Sequence, residues 1–272
     1  MLYEKIPLRQ DRPDVFLEAY VPEAVGEKRR KAILVIPGGG YGHLCADREG
    51  EPVAMAFLPY GYCGFVLHYT TGRLEPYPAQ LREAALAIKH IRDNAEKYAI
   101  DPEAVFVTGF SAGGHLAACT GVFWDRPEVT EGLDIPYGYN KPRGIMPIYP
   151  VINDRGHITS LRNLLCTDTP TQEQIAYVSV DRHVTADSAP AFLMHTADDG
   201  LVDARNTLEL AMAYANAAVE YELHIFPHAP HDVALGNEVT DCGNSQWNDP
   251  MIARWVEMAV YWAEKLCKNQ YK

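Results

Sequence analysis

Four short runs, AILVI (32–36), FVL (65–67), VFV (105–107) and AFLM (191–194), are apolar at every position. A strand with one face in water alternates apolar and polar residues. A run that never alternates must be covered on both faces, as happens in a parallel sheet lying between helices. Seven strands are expected, at 15–21, 32–37, 64–69, 104–109, 144–149, 191–195 and 221–226. The first is the candidate for an antiparallel edge strand. Helical spacing fills the gaps. Leu81, Ala84, Ala85, Ala87, Ile88 and Ile91 recur on one face of 80–98, Leu208, Leu210 and Ala211 mark 205–217, and 252–266 forms an amphipathic C-terminal helix. Strands alternating with helices predict an α/β fold, with a mostly parallel central sheet covered on both sides. Residues 150–190 are mostly polar and are expected as an irregular cap or substrate loop. With no repeat or linker, residues 1–272 are expected to form a single domain.

The sharpest local signal is Gly109-Phe110-Ser111-Ala112-Gly113, set between the run AVFVTG and the apolar stretch HLAACTGVF. A serine on so tight a strand-to-helix turn needs small neighbours, because strand and helix crowd together there. Its hydroxyl stands at a helix N-terminus, where the Ala112 N–H and the helix dipole favour a developing negative charge. Ser111 is the candidate nucleophile. Upstream, Pro37-Gly38-Gly39-Gly40-Tyr41 follows another buried strand. Glycines there let backbone amides approach a substrate carbonyl, so Gly39, Gly40 and Ala112 are the candidate oxyanion hole. No G-K-[ST] follows, which argues against a phosphate loop.

A serine nucleophile needs a base and an orienting carboxylate, in this topology in the chain order serine, acid, histidine. Asp198 and Asp199 both follow the run AFLMH, and His224, His228 and His231 lie around the last strand. His224 falls within that strand, whereas His228 and His231 lie in the loop beyond it. His43, His68, His90, His115, His157, His183 and His195 show no ligand spacing such as H-E-x-x-H, so no metal or other cofactor is expected. The net charge of −12 disfavours nucleic acid or an anionic membrane as partner. Six cysteines without a C-x-x-C pair read as free buried thiols of a reducing compartment. The N-terminal segment is charged from its fourth residue and has no signal-like apolar stretch, so a cytoplasmic protein is expected.

Taken together, PGGGY (37–41), REGEPVAMAF (48–57), GFSAGGHLA (109–117), YPVI (149–152), AFLMHTADDGLV (191–202) and ELHIFPHAPH (222–231) resemble the acetyl xylan esterase-like branch of the α/β-hydrolase esterases. This branch includes bifunctional acetyl and feruloyl xylan esterases. The resemblance implies an α/β-hydrolase fold and a serine carboxylesterase removing small acyl groups, acetyl above all, from sugars or xylo-oligosaccharides. It implies Ser111, Asp199 and His231 as the triad, since the acid-loop pattern of aspartate, two residues and valine fits Asp199, and F-P-x-G-x-H-G fits His231. Ala229 and Asp232 occupy the two usual glycine positions of that second pattern, and Val202-Asp203 stands where the branch has Val-Pro. Arg48 and Glu49 are expected either to shape the site or to form a structural ion pair. The expected partner is a small-molecule or oligosaccharide ester, with a homo-oligomer left open. Two other readings compete: an amide-cleaving formamidase or small peptidase with the same triad, and a binding protein that keeps the fold without the chemistry.

Overall fold

The computed structural model describes residues 1–268. One eight-stranded sheet forms its centre: β1 (Leu2–Pro7), β2 (Phe16–Val21), β3 (Arg30–Ile36), β4 (Tyr62–His68), β5 (Ile100–Phe110), β6 (Gly144–Ile148), β7 (Ala191–Thr196) and β8 (Tyr221–Phe226). The strands lie in the order β1-β2-β4-β3-β5-β6-β7-β8. Pairing is antiparallel from β1 through β2 to β4 and parallel across the rest. The helices are α1 (Ala46–Glu49), α2 (Glu51–Phe57), α3 (Ala79–Asp93), α4 (Ala95–Tyr98), α5 (Ala112–Val122), α6 (Pro127–Thr130), α7 (Ile158–Leu164), α8 (Gln172–Val178), α9 (Arg205–Asn216) and α10 (Trp255–Cys267).

The unbroken apolar strands are covered on both faces. In β3, Ala32, Leu34 and Ile36 join one core with residues of α3, α5 and α9. Ile33 and Val35 point the other way and pack with α2 and α10. On that second face α10 buries Trp255 and Trp262 almost completely, and a large side chain withdrawn from water contributes about 1.5–3 kcal/mol. Every residue of α5 is buried. Its sequence, AGGHLAACTGV, has no polar stripe because no side of it reaches water.

Four expectations change. The 15–21 strand is antiparallel, but it is not the edge. The edge is β1, LYEKIP, whose charged and mostly exposed residues carry no burial pattern to read. Residues 150–190 are not irregular, since they hold α7 and α8. Each is only seven residues long, too short for a periodic signal, although α8 opens with a Thr171/Gln174 capping box. The 80–98 helix breaks at Asn94 into α3 and α4. The six thiols are free, but only Cys63 and Cys119 are buried and Cys242 is exposed. Among the described residues no helix is long and apolar enough to cross a membrane.

Candidate active site

Ser111 is the single residue between β5 and α5, and its backbone sits at φ +53°, ψ −117°. A non-glycine residue is held there only when its surroundings leave no alternative. Its N–H donates to Ile148 O (3.1 Å), and its carbonyl accepts from Val151 N (3.1 Å) and His115 N (3.0 Å). The flanking glycines are required by contact. A Cβ on Gly109 would lie 2.2 Å from Gly113 O, and one on Gly113 would lie 2.2 Å from Ile36 O. The five-residue motif is therefore a packing requirement of strand against helix.

The Gly-rich loop follows β3. Gly39 and Gly40 take φ values of +118° and +62°, closed to most side chains. Gly39 O accepts from Gly42 N and His43 N, which closes the loop into a tight turn. Gly38 packs so near the elbow that a Cβ there would come 3.1 Å from the Ser111 Cβ. Ala112 opens α5, where a first-turn N–H has no acceptor within its own helix. Asn163 on α7 donates to Gly40 O at 2.9 Å, and Arg73 Nε in turn donates to Asn163 Oδ1 at 2.9 Å.

The candidate acid and base come from the C-terminal ends of β7 and β8. His231 Nε2 is 2.8 Å from Ser111 Oγ, and its Nδ1 is 2.6 Å from Asp199 Oδ2. The other carboxylate oxygen of Asp199 accepts from Leu201 N and Val202 N, both at 2.9 Å. Burial opposes ionisation of Asp199, but hydrogen bonds from His195, His231 and Val202 outweigh it and hold the carboxyl well below its ordinary range. Burial likewise opposes protonation of His231, yet the hydrogen bond and charge of Asp199, with Asp232 and Glu49, lift its pKa above the ordinary 6.5. The remaining candidates lie outside this series. His228, largely exposed, is 3.0 Å from Asp198 Oδ2 at the surface. His224 stays on β8 and bonds Glu222.

The partners of several other residues of this site do not follow from any motif. Glu49 is completely buried and does not pair with Arg48. Its carboxylate accepts from Gly38 N (2.8 Å) and from the Tyr149 hydroxyl (2.9 Å). Tyr149 Oη also accepts from Ala234 N (3.0 Å), and the tyrosine ring stands edge-on to His231 with centroids 4.9 Å apart. Glu49 thus ties the Gly-rich loop to the loop that carries the histidine. Burial, then the charge of Asp232, raises its pKa to about 7 against the opposing pull of Gly38, Tyr149 and Arg48. His195, at the end of β7, lies between Thr207 Oγ1 (2.7 Å) and Val202 O (3.0 Å), with Asp199 Oδ2 3.3 Å away. Arg48 reaches across to Asp232 (2.9 Å) and lies over the Trp247 ring. Asp232 has φ +73°, which explains why the related pattern has glycine there. Among the described residues no cluster of three or more His, Cys, Asp or Glu is placed to hold a metal.

Comparison with known proteins gives concordant matches. The BD-FAE family model matches residues 17–214. The chain is 34% identical over 217 residues to endo-1,4-beta-xylanase B of Butyrivibrio fibrisolvens, covering 77% of this chain and 33% of that protein. It is 27% identical over 215 residues to the acetylxylan esterase of Xylanibacter ruminicola, covering 76% and 42%. It therefore spans between a third and a half of the length of these curated relatives. Among solved structures, an acetyl ester-xyloside bifunctional hydrolase from Caldicellulosiruptor lactoaceticus aligns with a TM-score of 0.82 at 31% identity, over 97% of this chain and 96% of that one.

Proposed function

The chain belongs to the BD-FAE family, and on that premise we propose that it is a serine carboxylesterase that removes small acyl groups, acetyl above all, from sugars or xylo-oligosaccharides. The fold is that of the α/β-hydrolases. The observation that carries the reading is the unbroken hydrogen-bonded series Ser111 Oγ, His231 Nε2, His231 Nδ1, Asp199 Oδ2 at the C-terminal edge of the sheet. His231 takes the serine proton as Ser111 Oγ attacks the ester carbonyl, and Asp199 fixes the tautomer and stabilises the imidazolium. The amides of Gly39, Gly40 and Ala112 receive the oxyanion. His231 then protonates the departing alcohol, and water, activated by the same histidine, hydrolyses the acyl-enzyme.

The choice of acyl group and alcohol draws on the relatives, one described as an acetylxylan esterase and one as an acetyl ester-xyloside hydrolase. The test is acetate release from acetylated xylo-oligosaccharides by the intact protein and by Ser111→Ala. Release that depends on Ser111 is expected. Cleavage of aminoacyl 4-nitroanilides with no hydrolysis of 4-nitrophenyl acetate would overturn the esterase reading in favour of an amidase. A folded protein that resists fluorophosphonate labelling at Ser111 would overturn it in favour of a binding role.

A further inference from the structure

Asp232 is the residue in this site whose presence the triad chemistry does not require, and it is held there at a cost. It occupies a left-handed backbone position, φ +73°, where glycine is the usual residue and aspartate one of the few others found. Its charge also opposes that of the buried Glu49. Features that break local rules in this way are found where a ligand has to be met.

Its position identifies that ligand. Asp232 Oδ1 lies 3.6 Å from His231 Nε2, the nitrogen that bonds Ser111 Oγ. Nε2 is also the atom that hands its proton to the departing alcohol, so the ester's alcohol oxygen must come within hydrogen-bond reach of it. A carboxylate oxygen beside Nε2 therefore borders the alcohol side of the scissile bond. The other oxygen, Oδ2, is engaged by Arg48 at 2.9 Å, which fixes the carboxylate plane and leaves Oδ1 to accept a further hydrogen. Arg48 is itself held over the Trp247 ring. The side chain of Asp232 is 28% exposed, so it can be reached from solvent.

We propose that Asp232, braced by Arg48, accepts a hydrogen bond from a hydroxyl neighbouring the ester on the departing alcohol, so that the site selects esters of vicinal polyols. In a vicinal diol the two oxygens are about one hydrogen-bond length apart, which matches a base nitrogen and a carboxylate oxygen side by side. A simple alkyl alcohol covers Oδ1 and offers it no hydrogen, although Oδ2 keeps its bond to Arg48, and sites built to hydrogen-bond a hydroxyl reject the analogue that lacks it. An anionic sugar acid in this position meets like charge. The inference rests on the esterase reading and adds to it the part of the substrate that is read.

The experiment compares two acetyl esters of one pyranoside, the second with the neighbouring hydroxyl replaced by hydrogen. kcat/KM is measured for the wild-type protein, D232N and D232G, with 4-nitrophenyl acetate as a substrate that lacks any such hydroxyl. The wild-type protein is expected to prefer the hydroxylated ester about ten- to a hundredfold, the worth of a hydrogen bond to a charged group. D232G brings that ratio to about one, and D232N, whose amide oxygen still accepts, gives an intermediate value. Asparagine tolerates the left-handed backbone, so the D232N ratio decides the matter even where D232G does not fold. A wild-type ratio near one, or a ratio unchanged in D232N and D232G, overturns the inference. If nitrophenyl acetate is hydrolysed in that case, the esterase reading stands alone. If no ester is hydrolysed, both fall.

Discussion

Replacing Glu49 by Gln tests whether the buried carboxylate that joins the Gly-rich loop to the histidine loop is held against a large desolvation cost. In the folded protein its pKa is about 7, against 4.5 for a free side chain. That difference is worth about 3 kcal/mol of preference for the protonated form. The native state therefore keeps a proton that the unfolded chain has released, so the stability contributed by neutral Glu49 is complete below pH 4.5. It is lost as pH rises from there through 7. The groups facing it are Asp232, Arg48, Tyr149 and the Gly38 amide, and His231 senses its charge. All of these remain in E49Q, and glutamine does not titrate. Urea unfolding at 25 °C, run from pH 4 to pH 8 on both proteins, should show the stability difference moving in favour of E49Q by about 3 kcal/mol. Gly38 N–H and the Tyr149 hydroxyl meet different oxygens of Glu49, and glutamine offers only one, so E49Q also carries a pH-independent cost of about 1–3 kcal/mol. The slope with pH carries the test and the offset does not. Parallel curves across this range would refute the reasoning.

Three other outcomes follow from the geometry. Asp199→Asn should lower kcat on 4-nitrophenyl acetate by about 10⁴-fold, because the amide no longer selects the His231 tautomer that faces Ser111; a loss under about tenfold would remove Asp199 from the mechanism. Gly113→Ala puts a methyl group 2.2 Å from Ile36 O and 2.4 Å from Pro37 O, and thermal unfolding should register a loss above about 3 kcal/mol or no folded protein at all; a melting temperature within about 2 °C of wild type contradicts this. Ester hydrolysis should rise with pH as His231 loses its proton, with a midpoint above 6.5 because the carboxylates around it favour the charged ring. D232N should move that limb to lower pH, and a kcat/KM profile whose midpoint does not move counts against the electrostatic assignment.

The central strands and the elbow were legible because each is set by a local rule. A strand covered on both faces is apolar throughout, and a serine wedged between strand and helix demands glycine on either side. Asp199 and His231 needed the spacing of related proteins, since Asp198 and His228 are chemically equal candidates and lie close by in the chain. In the fold those two meet each other at the surface instead. Glu49 was marked as a residue that shapes the site or pairs with Arg48, but its bond to Tyr149 and the support that His195 gives Asp199 were not readable. Glu49 and Tyr149 are 100 residues apart, and His195 supports Asp199 from the buried end of β7, where a histidine usually only packs. Contacts of that kind depend on how distant segments close over one another, which no short window of sequence contains. The edge strand β1 was missed for the opposite reason: it buries too little to leave a pattern.

The hydrogen bond from Asn163 to Gly40 bears on how this protein can be re-engineered. The segment between β6 and β7 is the natural place to exchange when a new substrate range is sought, because it lies outside the sheet. Here one of its helices also holds the carbonyl of Gly40 in the Gly-rich loop. A graft that replaced residues 150–190 wholesale would also remove this bond to the Gly-rich loop, so under the proposed function a loss in turnover would not by itself report poor substrate fit. Chimeras that keep α7 and exchange only the chain beyond it separate the two effects.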